Sequence, residues 1–330
     1  MVSGMHRIDA HAHLPLDLPQ PWDWLSDQDI SVVNICVASD ELGSLDNQRT
    51  WYRQLVAEQS SRFAWITSFS LDGFGEAGWA ERAIEQLTRD FAAGACGCKI
   101  WKNVGMELRD ADGAFVFVDD PRFAPIIEFL QQGGWPLLMH IAEPIAGWLP
   151  LDPKSPHYRY HISAPQWHWY GREDVPSHER LIASRDAIID RYPDLTVIGA
   201  HLGSQEHDLS AVSERLARWP NYMIDTGARL SDLAIHARQD RQAVAQWFRR
   251  WSDRILWGVD VVRVGPLSAK PAEWEELRSW LEARYDIEWR FFATDEEQNI
   301  GGTPVRGLAL DAATLEKIMY ANAARLYFSR

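Results

Sequence analysis

The chain has 330 residues, with 33 Lys and Arg against 47 Asp and Glu, a formal charge of −14. That balance argues against nucleic acid or an anionic membrane as partner, because both demand a basic face. No run reaches the roughly 18 apolar residues of a membrane span, and the opening MVSGMHRIDAHAH lacks the apolar core of a signal segment.

Short β-like runs alternate with longer amphipathic stretches. The first run, 7–13, is followed by a second at 31–38 and a helical stretch over 41–59. A third run at 63–70 leads through the glycine-rich DGFGEAG, read as a connection, to a helix over 76–93; the fourth run is 96–101 and its helix 121–133. Runs at 136–142, 196–202, 222–228 and 255–260 follow, with helices expected over 177–191, 208–218, 241–253 and 311–327 and an additional one over 271–285. Each run is rich in Val, Ile, Leu, Phe or Trp, and Gly and Pro punctuate the joins in QQGGWP, RYPDL and RWPNY. Eight strands alternating with helices predict an α/β fold, a closed parallel (β/α)8 barrel over residues 1–330 as one domain. A doubly wound open sheet is the competing architecture, but it wants a glycine-rich phosphate turn after the first strand, and HAHLPLDLPQP has none.

Cys36, Cys96 and Cys98 lie in apolar runs, where a thiol acts as a small hydrophobe, so a reducing, cytoplasmic setting is expected. The segment 143–176 is irregular, aromatic and proline-rich. So long a loop is uncommon in a compact domain unless it covers a site, and it follows the fifth strand, on the face where barrel enzymes keep their chemistry. An oligomer contact made by the same aromatics is the alternative.

Possible metal ligands close several of these runs. His11 and His13 are two apart and share one side of a strand; His140 ends WPLLMH, His201 ends LTVIGAH and Asp260 ends ILWGVD. In a barrel the carboxyl ends of these strands converge on one mouth. A nitrogen-rich set suits zinc, manganese or iron better than calcium or magnesium. Such an ion lowers the pKa of bound water to about 7, and Asp260 is the natural general base. His201 is either a further ligand or the group that hydrogen-bonds the water.

With DAHAHL, GCKIWKNVGM, LLMHIAEP, IGAHLGS, YMIDTGARL and ILWGVD on the page, and YANAARLY as a closing helix, the chain resembles the amidohydrolase superfamily. It is most similar to the amidohydrolase-related branch that includes the aminocarboxymuconate-semialdehyde decarboxylases. The resemblance implies a distorted barrel and one catalytic divalent metal, with His11, His13, His140 and Asp260 as ligands and His201 beside the water. It fits hydrolases, lactonases, hydratases and non-oxidative decarboxylases alike.

Other positions have distinct expectations. Lys99, alternating with Cys96, Cys98 and Ile100, should turn inward while that apolar set faces the helical layer. Some members of the superfamily carbamylate such a lysine to bridge two metals; in this branch it stays an ammonium or a partner for a substrate carboxylate. Lys102 is a weaker anion-binding candidate. Arg229 follows the seventh run and can fork a carboxylate; Asp225 is read as structural. Trp101, Trp148, Trp167 and Trp169 are expected pocket walls. His157, His161 and His168 do not suggest a second metal site, and His6, His178, His207 and His236 are read as surface or helix-terminal.

The expectation is a hydrolase of a small carboxylate-bearing or cyclic substrate (amide, ester or lactone), with zinc favoured and homo-oligomerisation possible. A metal-dependent decarboxylase of an aromatic or enoic acid and a non-catalytic binding barrel are the other readings.

Overall fold

The computed structural model describes residues 4–329. Its main sheet contains β1 (Arg7–His13), β2 (Ile30–Ile35), β3 (Phe63–Ser68), β4 (Cys98–Ile100), β5 (Leu137–Met139), β6 (Val197–Gly199), β7 (Tyr222–Asp225), β8 (Ile255–Leu256) and β9 (Val261–Val262). They pair in the order β8-β7-β6-β5-β4-β3-β2-β1-β9, and every pair is parallel. β8 bonds to β7 and β9 bonds to β1, so the single run from Ile255 to Val262 joins the two edges. Three hydrogen bonds sew that seam: Ala10 N–H to Trp257 O at 2.9 Å, Asp260 N–H to His11 O at 2.7 Å and Arg263 N–H to His13 O at 2.8 Å. The fold is a distorted (β/α)8 TIM barrel.

Helices Leu45–Glu58, Trp79–Ala92, Ala124–Gly133, His178–Arg191, Leu209–Arg218 and Leu230–Trp251 connect successive strands. Polar caps define several of their starts: Ser44, Ser177 and Asp208 each accept an N–H of the first turn. The helix expected at 241–253 spans Leu230–Trp251 and is broken at Asp240 (φ −151°, ψ 91°), so only its second half was legible as one periodic stretch. The additional helix is Trp274–Ala293. The closing helix begins as Ala312–Glu316 and continues in wide π turns over Lys317–Ala321 and Ala324–Phe328. Pro19–Asp27, a helix, and the hairpin Glu297–Ile300/Thr303–Arg306 were not anticipated.

Two apolar layers hold the barrel. Ile8, Ala10, Val33, Ile35, Ile66, Leu138, Ile198, Met223 and Leu256 fill its interior, closed below by Ala323 and Tyr327 of the last segment. Larger side chains, among them Val32, Trp65, Leu137, Val197, Tyr222 and Ile224, pack outward against the helices. Cys98 and Ile100 face that outer layer as expected, but Cys96 belongs to the interior; strand β4 proper begins only after Gly97, so the alternation does not extend back to it. All three cysteines are buried. Among the described residues no helix is long and apolar enough to cross a membrane.

Candidate metal centre and pocket

Two imidazoles reach the barrel mouth from β1 because that strand is irregular. Ile8 and Ala10 point into the interior, whereas Asp9 bonds Tyr285 on the outer helix Trp274–Ala293. The pairing with β2 then shifts register between Asp9 and Ala12. The shift reverses the alternation: Ala12 packs outward, and His11 and His13 line the mouth cavity.

Each of these rings is oriented by the bond at its Nδ1. His11 Nδ1–H donates to Asp225 Oδ2 at 2.8 Å, His13 Nδ1–H to Ile35 O at 2.6 Å, and His201 Nδ1–H to Gly227 O at 2.8 Å. Because all three acceptors lack a proton, the tautomer is fixed and every Nε2 is left without a proton. The Nε2 atoms of His11 and His13 each lie 3.6 Å from Asp260 Oδ1, and the donor atoms of His11, His201 and Asp260 lie within 4.8 Å of one another. His140 stands with its ring centroid 4.4 Å from that of His201, and its buried Nε2 has no hydrogen-bond partner. The unprotonated Nε2 of His11 and His201 and the Asp260 carboxylate meet at one point, with His13 beside Asp260 and the orphaned His140 beside His201, a nitrogen-rich donor set with anchored rings that suits a divalent transition metal. The residues fit the metal that the family resemblance implies.

The backbone accepts strain to build this arrangement. His201 (φ 60°) and Asp260 (φ 61°) both occupy the left-handed region, which costs about 1–3 kcal/mol each. His201 is held there by its N–H to Asp225 Oδ1 at 2.8 Å, and Asp260 by its seam bond to His11. Asp225 therefore orients two imidazole-bearing segments at once, the structural part expected of it. Gly258 is needed for close approach: a Cβ there would lie 2.7 Å from the His11 Cβ.

The electrostatics disfavour the charged form of three of the imidazoles. Burial, reinforced by the Lys99 charge, lowers His13 to about 3; burial and His11 lower His201 to about 3; burial and His201 put His140 well below its ordinary value. Burial by itself would raise the Asp260 carboxyl, but His11, His201, His13 and Lys99 hold it well below the ordinary carboxylate range. Lys99 points inward as expected and donates to His11 Nε2 at 3.2 Å; burial pulls it down to about 8 against the pull of Asp260 and Asp225.

Above these groups opens a cavity of about 400 Å³. Lys99, Trp101, Lys102, His140, His201, Arg229 and Asp260 all line it. Arg229 is buried and spends one Nη on its neighbour's carbonyl, Ala228 O at 2.9 Å, while its Nε has no partner. Trp148, Trp167 and Trp169 are not pocket walls. They pack behind the wall, Trp167 edge-on to Trp101 and Trp148 against Trp169 and His178, because the 143–176 segment needs its own small core. The segment instead presents Glu143, Pro144, Pro156, His157 and Tyr160 to the cavity. Tyr160 donates to Glu143 Oε1 at 2.7 Å and accepts from Lys102 Nζ at 2.9 Å, and Lys102 is ion-paired with Glu143 and lies 3.9 Å over the Trp167 ring. Sequence reasoning missed Glu143, His157 and Tyr160. Only Glu143, three residues past His140 in HIAEP, had a positional signal. His178 is helix-terminal, opening His178–Arg191, and is buried there with its ring bonded to Ser204 O at 2.9 Å.

The family model for amidohydrolases matches residues 8–328, whereas no curated protein matches. Among solved structures, the chain is similar to an uncharacterised TIM-barrel protein from Bordetella bronchiseptica (16% identity, 98% of each chain, TM-score 0.54). It is also similar to 2,6-dihydroxybenzoate decarboxylase from Rhizobium (17% identity, 98% of each chain, TM-score 0.55). A third likeness is to 5-carboxyvanillate decarboxylase from Sphingomonas paucimobilis (14% identity, 78% of this chain and 89% of that one, TM-score 0.50). At these identities the structural likenesses speak to the barrel, and the family match, running from β1 to the last helical turns, places the chain in the amidohydrolase family.

Proposed function

We propose that this protein is a divalent-metal-dependent hydrolase of a small, carboxylate-bearing amide, ester or lactone, with zinc as the metal. The observation that carries the reading is the convergence of bare Nε2 atoms and the Asp260 carboxylate at the floor of a cavity whose wall holds the incompletely partnered Arg229 guanidinium. His11, His13, His140 and Asp260 are the proposed ligands, and the proximity of His201 to His11 and Asp260 makes it a further donor at the same point. A divalent ion bound there supplies Lewis-acid polarisation and makes water acidic enough to react near neutral pH.

The protein's own groups do the rest. Asp260, held ionised, takes a proton from the attacking water and returns it to the departing oxygen or nitrogen. Arg229 binds the substrate carboxylate, and with two bonds it fixes orientation as well as charge. Lys99 is a second cation facing the same anion, in its ammonium form. Trp101 offers a flat wall. The 143–176 segment is an active-site roof whose Lys102–Glu143–Tyr160 group presents polar atoms to the far end of the substrate.

Decarboxylation of an aromatic acid is the second reading. Its support is the Trp101 wall, suited to a planar ring, and the two decarboxylases among the similar structures. A panel of carboxylate-bearing lactones, esters and amides, run beside hydroxybenzoic acids on zinc-loaded protein, separates the two. Hydrolysis of an ester or lactone adds one titratable acid per turnover, hydrolysis of an amide frees one amine, and neither releases carbon dioxide; carbon dioxide release from the aromatic acids with the first group untouched would overturn the hydrolase reading.

A further inference from the structure

The carboxylate of Asp9 is fully buried two residues before His11, yet no Lys or Arg among the described residues bonds it. A buried charge without a cation survives only when hydrogen bonds replace its lost hydration. Asp9 has three. Its Oδ1 accepts from the His11 N–H at 3.1 Å and the Val259 N–H at 3.0 Å, and its Oδ2 accepts from the Tyr285 hydroxyl at 3.0 Å. One oxygen thus clamps together the backbone on both sides of the barrel seam: the residue that carries one imidazole, and the residue immediately before Asp260. The clamp sits where β1 changes register and where Asp260 is held in a left-handed conformation.

The other oxygen is fixed from outside the barrel. Tyr285 belongs to Trp274–Ala293, the helix beyond the regular alternation, and is 3% exposed, stacked on Trp24 and tilted against Trp257. Its hydroxyl is the one polar contact that the helix makes to Asp9. Packing alone would be served as well by phenylalanine; the hydroxyl answers a different need, the orientation of the carboxylate that receives two seam N–H groups.

We propose that Tyr285 is a positioning residue for the metal centre, acting through Asp9 to hold the backbones that carry His11 and Asp260 at the separation a cation needs. The inference rests on the metal reading of the site, and its test separates the two. Supporting groups behind metal ligands are typically worth 10–100-fold in metal affinity. Tyr285→Phe should therefore keep the fold and weaken Zn²⁺ binding about tenfold in competition with a chelator. It should also shift the visible d–d bands of the Co²⁺-substituted protein. Trp274→Phe, a change in the same helix with no bond to the seam, should leave both readouts at their wild-type values. Asp9→Asn keeps an acceptor for the two N–H groups and should retain the Co²⁺ bands, whereas Asp9→Ala should lose them. Wild-type affinity and bands in Tyr285→Phe would overturn the positioning role while leaving the metal site standing, as would equal effects from Trp274→Phe. Should Tyr285→Phe not fold, unaltered bands in Asp9→Ala would overturn it in the same way. Wild-type protein that takes up neither Zn²⁺ nor Co²⁺ would overturn both.

Discussion

In the proposed reaction Asp260 carries two demands at once, as a donor to the cation and as the proton acceptor. Both require an ionised carboxylate, and Asp260 is held well below the ordinary carboxylate range. Asp260→Asn preserves size and one oxygen donor but cannot take a proton. The expected result is folded protein with kcat reduced about 10²–10⁴-fold, read by steady-state kinetics with metal content measured alongside. Near-full turnover in the metal-loaded variant would move the base elsewhere. At this scale the sequence was informative where residue type and position agree: His11, His13, His140, His201 and Asp260 end apolar runs, and Lys99 sits opposite an outward apolar pair. It was silent on how each ring is aimed. The β1 register shift and the left-handed turns at His201 and Asp260 are backbone events that period-two alternation does not encode.

Among the elements, the 143–176 segment was legible as a long aromatic excursion expected to cover the site, but not in its internal order. Its internal order depends on contacts from distant loops. Ile145 N–H donates to Glu206 Oε1 at 3.0 Å, His157 Nε2 pairs with Asp232 Oδ1 at 2.9 Å, and Tyr160 closes on Lys102 and Glu143. Lys102 and Glu206 come from the loops after β4 and β6 and Asp232 from the first turn of the helix Leu230–Trp251, so the tryptophans expected in the pocket are used to fill the space beneath the fastenings. His157→Ala leaves a nearly buried Asp232 without its ring partner, a cost of about 1–3 kcal/mol. Limited proteolysis between residues 149 and 172 should then be faster than in wild type, with metal content unchanged. Cleavage at the wild-type rate would mean that the segment is held without that bond. The broken helix Leu230–Trp251 makes the same point about periodicity: each half is regular, and the change of phase at Asp240 hides the first half from a single window.

For the molecule as a whole, many buried groups titrate far from their ordinary values, and their signs can be summed. His13 and His201 are lowered to about 3, and His161 and His178 to about 4, each chiefly by burial. A histidine whose folded pKa lies below its unfolded value of 6.5 binds its proton earlier in the unfolded chain, so its contribution to stability falls as pH drops from 6.5 toward 4. Asp9, raised by burial to about 6, and Glu288, raised to about 7, act in the opposite sense over part of that window but are fewer. Glu206, held at about 2 despite burial by His207, Arg229 and His157, adds further loss below pH 4.5. Metal-stripped protein should therefore melt at a lower temperature at pH 5 than at pH 7, and a flat or rising melting temperature would contradict this balance. The barrel itself was the most legible feature, since eight apolar runs at regular spacing admit few topologies. Its closure by a run split around Gly258 was not, because the seam depends on bonds between the first and last strands.

In the proposed centre four strand ends hold one cation between them. An anomalous-scattering crystal structure of the zinc-loaded protein tests it most directly. A single peak is expected at the cavity floor, with Nε2 of His11 and His13 at about 2.0–2.1 Å, the Asp260 carboxylate in the coordination sphere, and His140 and His201 facing it. A peak whose coordination sphere leaves out the His11–His13 pair, or no peak in that cavity after metal loading, would contradict it.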